Sequence, residues 1–185
     1  MSNNRRGDWM QTHRGVHYYP MDPRPEDVHI LDIAHALSHT CRYNGHCQYF
    51  YSVAQHSVIV SQHVNPLNAR WALMHDAAEA YVGDMIRPMK HGVLKDIFAE
   101  IEERNLHAIA ERFGLEYPMD EWTRTDVKNH DNQTLVTEAR DLFYYTSDWA
   151  IVKVVKPYPE RIEPLSAMDA RELFYARFTE LFRTP

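Results

Sequence analysis

Long apolar runs are missing from this chain. No stretch approaches the ~20 consecutive apolar residues that a membrane-spanning helix needs, so no membrane partner is expected. Excess positive charge is missing too. The 20 Lys and Arg face 26 Asp and Glu, for a net charge of −6. A protein that follows a nucleic-acid backbone needs a basic surface, so no nucleic-acid polymer is expected. A small phosphate ligand held by two or three local cations stays compatible with that balance. Cysteine is nearly absent: Cys41 and Cys47 are the two. Their Cys-x5-Cys spacing fits no common zinc motif, and free, partly buried thiols are the expectation. The segment Met1–Arg6 lacks the apolar core of a secretion signal, so a cytoplasmic location is expected. Internal repeats and low-complexity tracts are also lacking.

What is present suits one helical domain. A chain of 185 residues with 44% hydrophobic residues can bury roughly 70% of its unfolded surface around a single core. The domain reading covers residues 1–185, with 1–30 irregular because Pro20, Pro23 and Pro25 interrupt regular elements. Helices are predicted over about 31–41, 53–64, 66–82, 93–114, 124–146 and 167–183. Thr123 or Thr125 caps the fifth and Ser166 the sixth. Loops cover 42–51 and 83–92, and 147–165 is irregular with a short strand at Ala150–Val155.

The richest local signal is His75-Asp76, within a predicted helix that opens on Asn65 and Pro66. Leu67, Trp71, Leu73, Met74, Ala77 and Ala78 form its core-facing stripe. His75 and Glu79 share a face, and Asp76 points about 100° away. Gly83 closes the helix and Asp84 follows. An imidazole and several carboxylates on a buried helix end are costly unless something pairs them, and a metal ion is the simplest partner. Two more groups fit the same ion. His56 follows Ser52 and Gln55, a capping box that puts it in the first turns of a helix. Asp131 precedes a long apolar-periodic run. His56, His75, Asp76 and Asp131 offer two nitrogens and two oxygens, a set that suits a divalent transition metal. His35 and His39 are also four residues apart, but core packing for one and solvation for the other is the simpler reading.

The order His…His-Asp…Asp resembles the HD-domain metal-dependent phosphohydrolases. The likeness extends to Ile33–Ser38, Arg42–His46, Tyr51–Ser57, His75–Tyr81, Gly83–Lys90 and Thr137–Leu142. These segments resemble the subfamily that holds bacterial 5′-deoxynucleotidases and phage dATP triphosphohydrolases. The resemblance covers about residue 25 to the end. It implies an all-α HD-domain helical bundle with a central divalent metal (Co, Mn, Zn, Ni, Fe or Mg). It also implies hydrolysis of a nucleotide 5′ phosphoester, to nucleoside plus phosphate or tripolyphosphate. 2′-Deoxynucleotides including dATP and dAMP are the expected substrates, and a homo-oligomer, dimer or hexamer, the expected assembly.

Within that reading Glu79 is the first candidate to exchange a proton with water or the leaving oxygen, and Asp84 the second. Glu79 read as a structural partner of His75 is the competing account. Substrate contacts fall on Arg42, Tyr43, His46, Arg87, Pro88 and Lys90. Relatives often carry tryptophan where this chain has Tyr43, which alters the wall beside the 2′ carbon. Glu138, Arg140 and Asp141 are read as salt-bridge residues. A non-catalytic nucleotide sensor or scaffold on the same framework is the alternative function.

Overall fold

A computed structural model describes residues 5–90, 92, 94–145 and 148–183. It is dominated by helices, in agreement with the all-α expectation. A two-stranded antiparallel hairpin, β1 (Met10–Gln11) and β2 (His17–Tyr18), stands in the N-terminal segment. That segment is therefore less irregular than its prolines suggested. Tyr18 anchors it, stacking on Tyr81 and donating to Asn105 Oδ1 at 2.7 Å.

The helices are α1 (Ile30–His39), α2 (Val53–His63), α3 (Ala69–Met74), α4 (Glu79–Val82), α5 (Arg87–Lys90), α6 (Lys95–Phe113), α7 (Glu121–Asp141) and α8 (Ala167–Phe182). α2 is the central rod, packed by α1, α3, α7 and α8. Its sequence explains that position. Val53, Ala54, Val58 and Val60 are apolar and fully buried. The hydroxyls of Ser57 and Ser61 return to the helix's own carbonyls, at 3.0 and 2.8 Å. Only Gln62 near its C-terminal end is exposed, so the helix offers water almost no face and His56 is buried with it. Ile33, Leu37, Leu73, Met74 and Phe174 close the main core around the rod.

Caps explain most boundaries. Ser52 Oγ accepts from Gln55 N at 3.2 Å and Ser166 Oγ from Asp169 N at 3.2 Å. The reciprocal half of the Ser52 box is absent, because the Gln55 amide instead donates to Glu163 O and accepts from Leu165 N. It thereby ties the chain before α8 to α2. Gly114 ends α6 at φ +65°, and Leu115 N closes onto Ala110 O at 2.9 Å.

Four expectations need correction. The predicted helix 66–82 is interrupted at His75–Ala78, where Ala77, Glu79 and Ala80 bond back three residues rather than four. The predicted loop 83–92 contains α5. α7 begins earlier than expected: Asp120 is the cap, and Thr123 is a buried third-position residue that donates to Asn68 Oδ1 at 3.0 Å. Ala150–Lys153 is a single 3-10 turn rather than a strand, since among the described residues no strand neighbours its β-branched residues.

The segment before α8 is held by Asp141. Its carboxylate accepts from Arg140 Nε and Nη2 at 2.7 Å each, from Arg161 Nη1 at 2.6 Å and from Ile162 N at 3.0 Å. Burial raises its pKa, but these donors prevail and lower it to about 2. A depressed carboxylate contributes stability above its unfolded pKa, near 3.9, and loses it as pH falls through the folded value. Asp141→Asn is therefore expected to be less stable than the parent above about pH 4, with the gap closing toward pH 2. Urea unfolding across that range measures it.

Candidate metal centre

The break at His75–Ala78 brings neighbouring side chains together. On a regular helix His75 and Asp76 would diverge, yet His75 Nε2 lies 3.3 Å from Asp76 Oδ2. From α2, His56 Nε2 lies 3.7 Å from the same oxygen and 3.4 Å from Asp131 Oδ1 on α7. Donor atoms of His56, His75 and Asp131 all fall within 4.8 Å of one another, and this group could hold a metal ion. Three of the four residues expected as ligands thus form the group, although the chain separates them by up to 75 positions, and Asp76 lies beside its two histidines.

Hydrogen bonding decides which nitrogens are free. His75 Nδ1 lies 2.7 Å from Ala72 O, a carbonyl that only accepts, so Nδ1 carries a proton. His56 Nδ1 lies 2.7 Å from Glu138 Oε1. Burial alone would raise the Glu138 pKa, but Arg42 and His56 hold it down at about 2, so it accepts. In its neutral form each ring therefore turns an Nε2 lone pair toward the carboxylates, and among the described residues both Nε2 atoms are buried without a hydrogen-bond partner. Two atoms bound at about 2.1 Å to one ion stand roughly 3.0–3.4 Å apart, close to the separations seen. The donor set fits a divalent cation.

The electrostatics make the same demand. Burial lowers the pKa of both imidazoles, yet Glu138 and Asp131 for His56, and Asp76 for His75, raise it overall. Burial raises the pKa of Asp76 and Asp131, yet the imidazoles hold both below the usual range. The cluster draws positive charge into itself, as a proton or as a cation.

Glu138 is the hub behind the ligands. Fully buried, it accepts from Arg42 Nη2 at 3.1 Å, from the Tyr43 hydroxyl and from His56. Arg42 also reaches within 3.8 Å of Asp76. Expected as a substrate contact, Arg42 is engaged by acids on two sides. Tyr43 sits in the same network on a left-handed backbone, φ +56°, and Asn44 follows at φ +51°. His46 is exposed, and its backbone N–H closes that turn on Tyr43 O.

Glu79 is buried, and Lys90 Nζ donates to its Oε1 at 3.0 Å and to Glu102 Oε1 at 3.0 Å. Among the described residues its other oxygen, Oε2, is buried without a partner. Desolvation first, then Asp76 and Asp84, push the Glu79 pKa up to about 9. Asp84 is half-buried and shifts upward too, chiefly by burial. Arg87 is exposed, with Nη2 3.6 Å from Asp131 Oδ2, and Lys128 donates to that oxygen at 2.8 Å. Pro88 is exposed on α5 and makes no hydrogen bond or ion pair with the cluster among the described residues. A cleft of about 440 Å³ between α6 and α7 opens onto His75, Asp76 and Asp131.

Sequence reasoning assigned Glu138 to a salt bridge and missed its bond to His56. The signal was there, since Glu138 follows Asp131 by two helical turns and shares its face. Lys128 stands one turn before Asp131 and was legible in the same way. Glu102 had no such signal, because α5 and α6 meet only in the folded chain. Two further expectations on side chains agree with the structure, whereas His35, expected in the core or in solvent, is half-buried. Arg140 binds Asp141, and both cysteines are free and half-buried. His35 stacks between His13 and His39.

No protein-family model matches the chain. Among the described residues no helix is long and apolar enough to cross a membrane. Two curated proteins match nearly end to end. Uncharacterized protein YfdR of Escherichia coli K12 is 39% identical over 176 residues, covering 94% of this chain and 95% of its own length. Uncharacterized protein RCAP_rcc00048 of Rhodobacter capsulatus is 33% identical over 190 residues, covering 95% and 96%. At that identity and coverage, the chain belongs to the family of YfdR and RCAP_rcc00048.

Proposed function

We propose that this protein is an HD-domain metal-dependent phosphohydrolase acting on the 5′ phosphoester of nucleotides. 2′-Deoxynucleotides such as dAMP and dATP are its substrates, and nucleoside plus phosphate or tripolyphosphate its products. The observation that carries the reading is the pair of buried, unpartnered Nε2 atoms. Their lone pairs are fixed by Glu138 and Ala72, and they face Asp76 and Asp131. His56, His75, Asp76 and Asp131 would hold the ion, with manganese, cobalt, nickel, iron, zinc and magnesium as the field of choice. A bound divalent ion supplies an acidified water and a polarised phosphoryl oxygen.

The chain's own residues supply the rest. Glu79 holds its proton on Oε2, because Oε1 is taken by Lys90 and the pKa stands near 9. A carboxyl kept protonated at neutral pH beside the reacting centre suits proton donation to a leaving oxygen. Lys90 and Glu102 hold Glu79 in that orientation. Lys128 and Arg87 neutralise the outer oxygen of Asp131 and leave Oδ1 for the cluster. Arg42 is poised beside Asp76 to meet a phosphate oxygen. A cytoplasmic location and a homo-oligomer belong to the same proposal, and the exposed rings of Tyr49, Tyr144 and Tyr145 offer apolar surface for self-association.

The test is incubation with a panel of 5′-mono- and triphosphates in manganese, cobalt or zinc, with products identified by mass. Release of free nucleoside with phosphate or tripolyphosphate is expected. Nucleotide binding without turnover under every metal would favour the sensor reading instead.

A further inference from the structure

The N-terminal hairpin is fastened to α1 largely by histidines. Between β1 and β2 its tip carries His13 and Arg14, both exposed. The His13 ring lies flat on His35 of α1, with centroids 3.7 Å apart and planes 12° from parallel. His39, one turn on, extends the column with its centroid 4.2 Å from that of His35. Beside the column, Arg14 N donates to Asp32 Oδ1 at 2.8 Å, and Arg14 Nη1 lies 2.7 Å from His29 Nδ1. Among the described residues the nitrogens of this column do not gather as the donor atoms of His56, His75 and Asp131 do, so it is not a second ion site.

Both histidine contacts suit the neutral ring alone. A guanidinium only donates, so His29 Nδ1 accepts and carries no proton. A proton there removes the bond and sets two cations against each other. His35 Nδ1 is buried, and among the described residues it has no hydrogen-bond partner. The neutral ring can leave Nδ1 bare, whereas the imidazolium must place an N–H there with nothing to receive it. We propose that the hairpin tip is an acid-sensitive latch: protonation of His29 and His35 releases residues 12–15 from α1 while the base of the hairpin stays in place.

The groups around each ring set the direction of the response. His29 is faced by Arg14 on the hairpin, Arg112 on α6, Asp32 on α1 and Asp27 in the turn before α1. His35 is faced by His13 on the hairpin, His39 and Asp32 on α1, and Arg171 on α8. Burial first, then the facing cations and imidazoles, lower both pKa values, and the carboxylates oppose this without prevailing. An imidazole of lowered pKa holds its contact in full above the value of the open form, near 6.5. The contact weakens as pH falls from there toward the docked value. The base of the hairpin does not respond in that range. The Tyr18 hydroxyl donates to Asn105, whose amide does not titrate, and burial pushes the phenol further up. Tyr18 also stacks on Tyr81 of α4, so the opening stops short of the core.

Hydrogen exchange on the whole protein, corrected for the intrinsic pH dependence of the rates, tests the latch. The amide of residue 14 is the reporter, since its acceptor lies on α1. Its protection is expected to fall by roughly tenfold or more between about pH 7.5 and 5.5, while the amides of α2 keep theirs. The double variant His29→Gln with His35→Gln carries polar side chains that do not titrate, and it is expected to show no such fall. Arg14→Met changes an exposed side chain and so spares the fold. It removes the meeting of like charges at His29 and is expected to leave about half of the response or less, carried by His35. Constant protection at residue 14 in the parent would overturn the proposal, as would an undiminished fall in either variant. A parallel loss of protection in α2 would mark general acid unfolding and overturn it as well.

Discussion

Glu138→Ala is expected to lower the unfolding free energy by roughly 3–5 kcal/mol, the scale seen when one partner of a buried ion pair is removed. The substitution strands the Arg42 guanidinium, the Tyr43 hydroxyl and the His56 Nδ1–H at once. It also frees the His56 ring to change tautomer, so metal affinity is expected to fall by about 10–100-fold in whatever protein remains folded. Glu138→Gln separates the two effects. Its amide oxygen can still accept from His56, so metal affinity recovers in part, whereas the charge facing Arg42 is lost and stability stays low. Denaturant unfolding and metal titration of both variants measure the pair. A stable Glu138→Ala protein with parental metal affinity would contradict the role given to this residue.

Glu79→Gln is expected to lower the turnover rate by about 10²–10⁴-fold, the usual contribution of a positioned acid or base. Folding should barely register the change. Burial pushes the Glu79 carboxyl upward, and Gln keeps its size and a carbonyl oxygen that can still accept from Lys90. A stability change under about 1 kcal/mol and an undiminished metal stoichiometry are expected alongside the lost turnover. Steady-state kinetics on dAMP, thermal unfolding and metal titration together check it. Parental turnover in Glu79→Gln would remove the residue from proton transfer and leave it as a support for Lys90.

The parts of this architecture that are local in the chain were legible before the fold. Ser52, Ser166 and Asn65-Pro66 cap helices where they were expected to, because a cap needs only the next three residues. The residues that gather around His56, His75 and Asp131, a group that could hold an ion, were also legible, since a His-Asp pair with one more His and one more Asp on other helices is a chemical pattern. What escaped depended on neighbours distant in sequence. Thr123 has the composition of a cap, but Asn68 draws its hydroxyl inward and Asp120 takes the cap. Ala150–Lys153 has strand residues but no partner strand among the described residues. The tightened turn at His75–Ala78 has no Gly or Pro to announce it, and it is this turn that sets Asp76 beside His75. The bond between Arg42 and Glu138 escaped for the same reason, because the fold brings the two together from 96 residues apart.

A divalent-metal titration by calorimetry, run on the parent and on Asp131→Ala, tests the central claim most directly. The account predicts one ion per parent chain and a loss of affinity of about 100-fold or more in the variant, with the helical content intact. No stoichiometric uptake by the parent, or uptake that Asp131→Ala leaves unchanged, would contradict it.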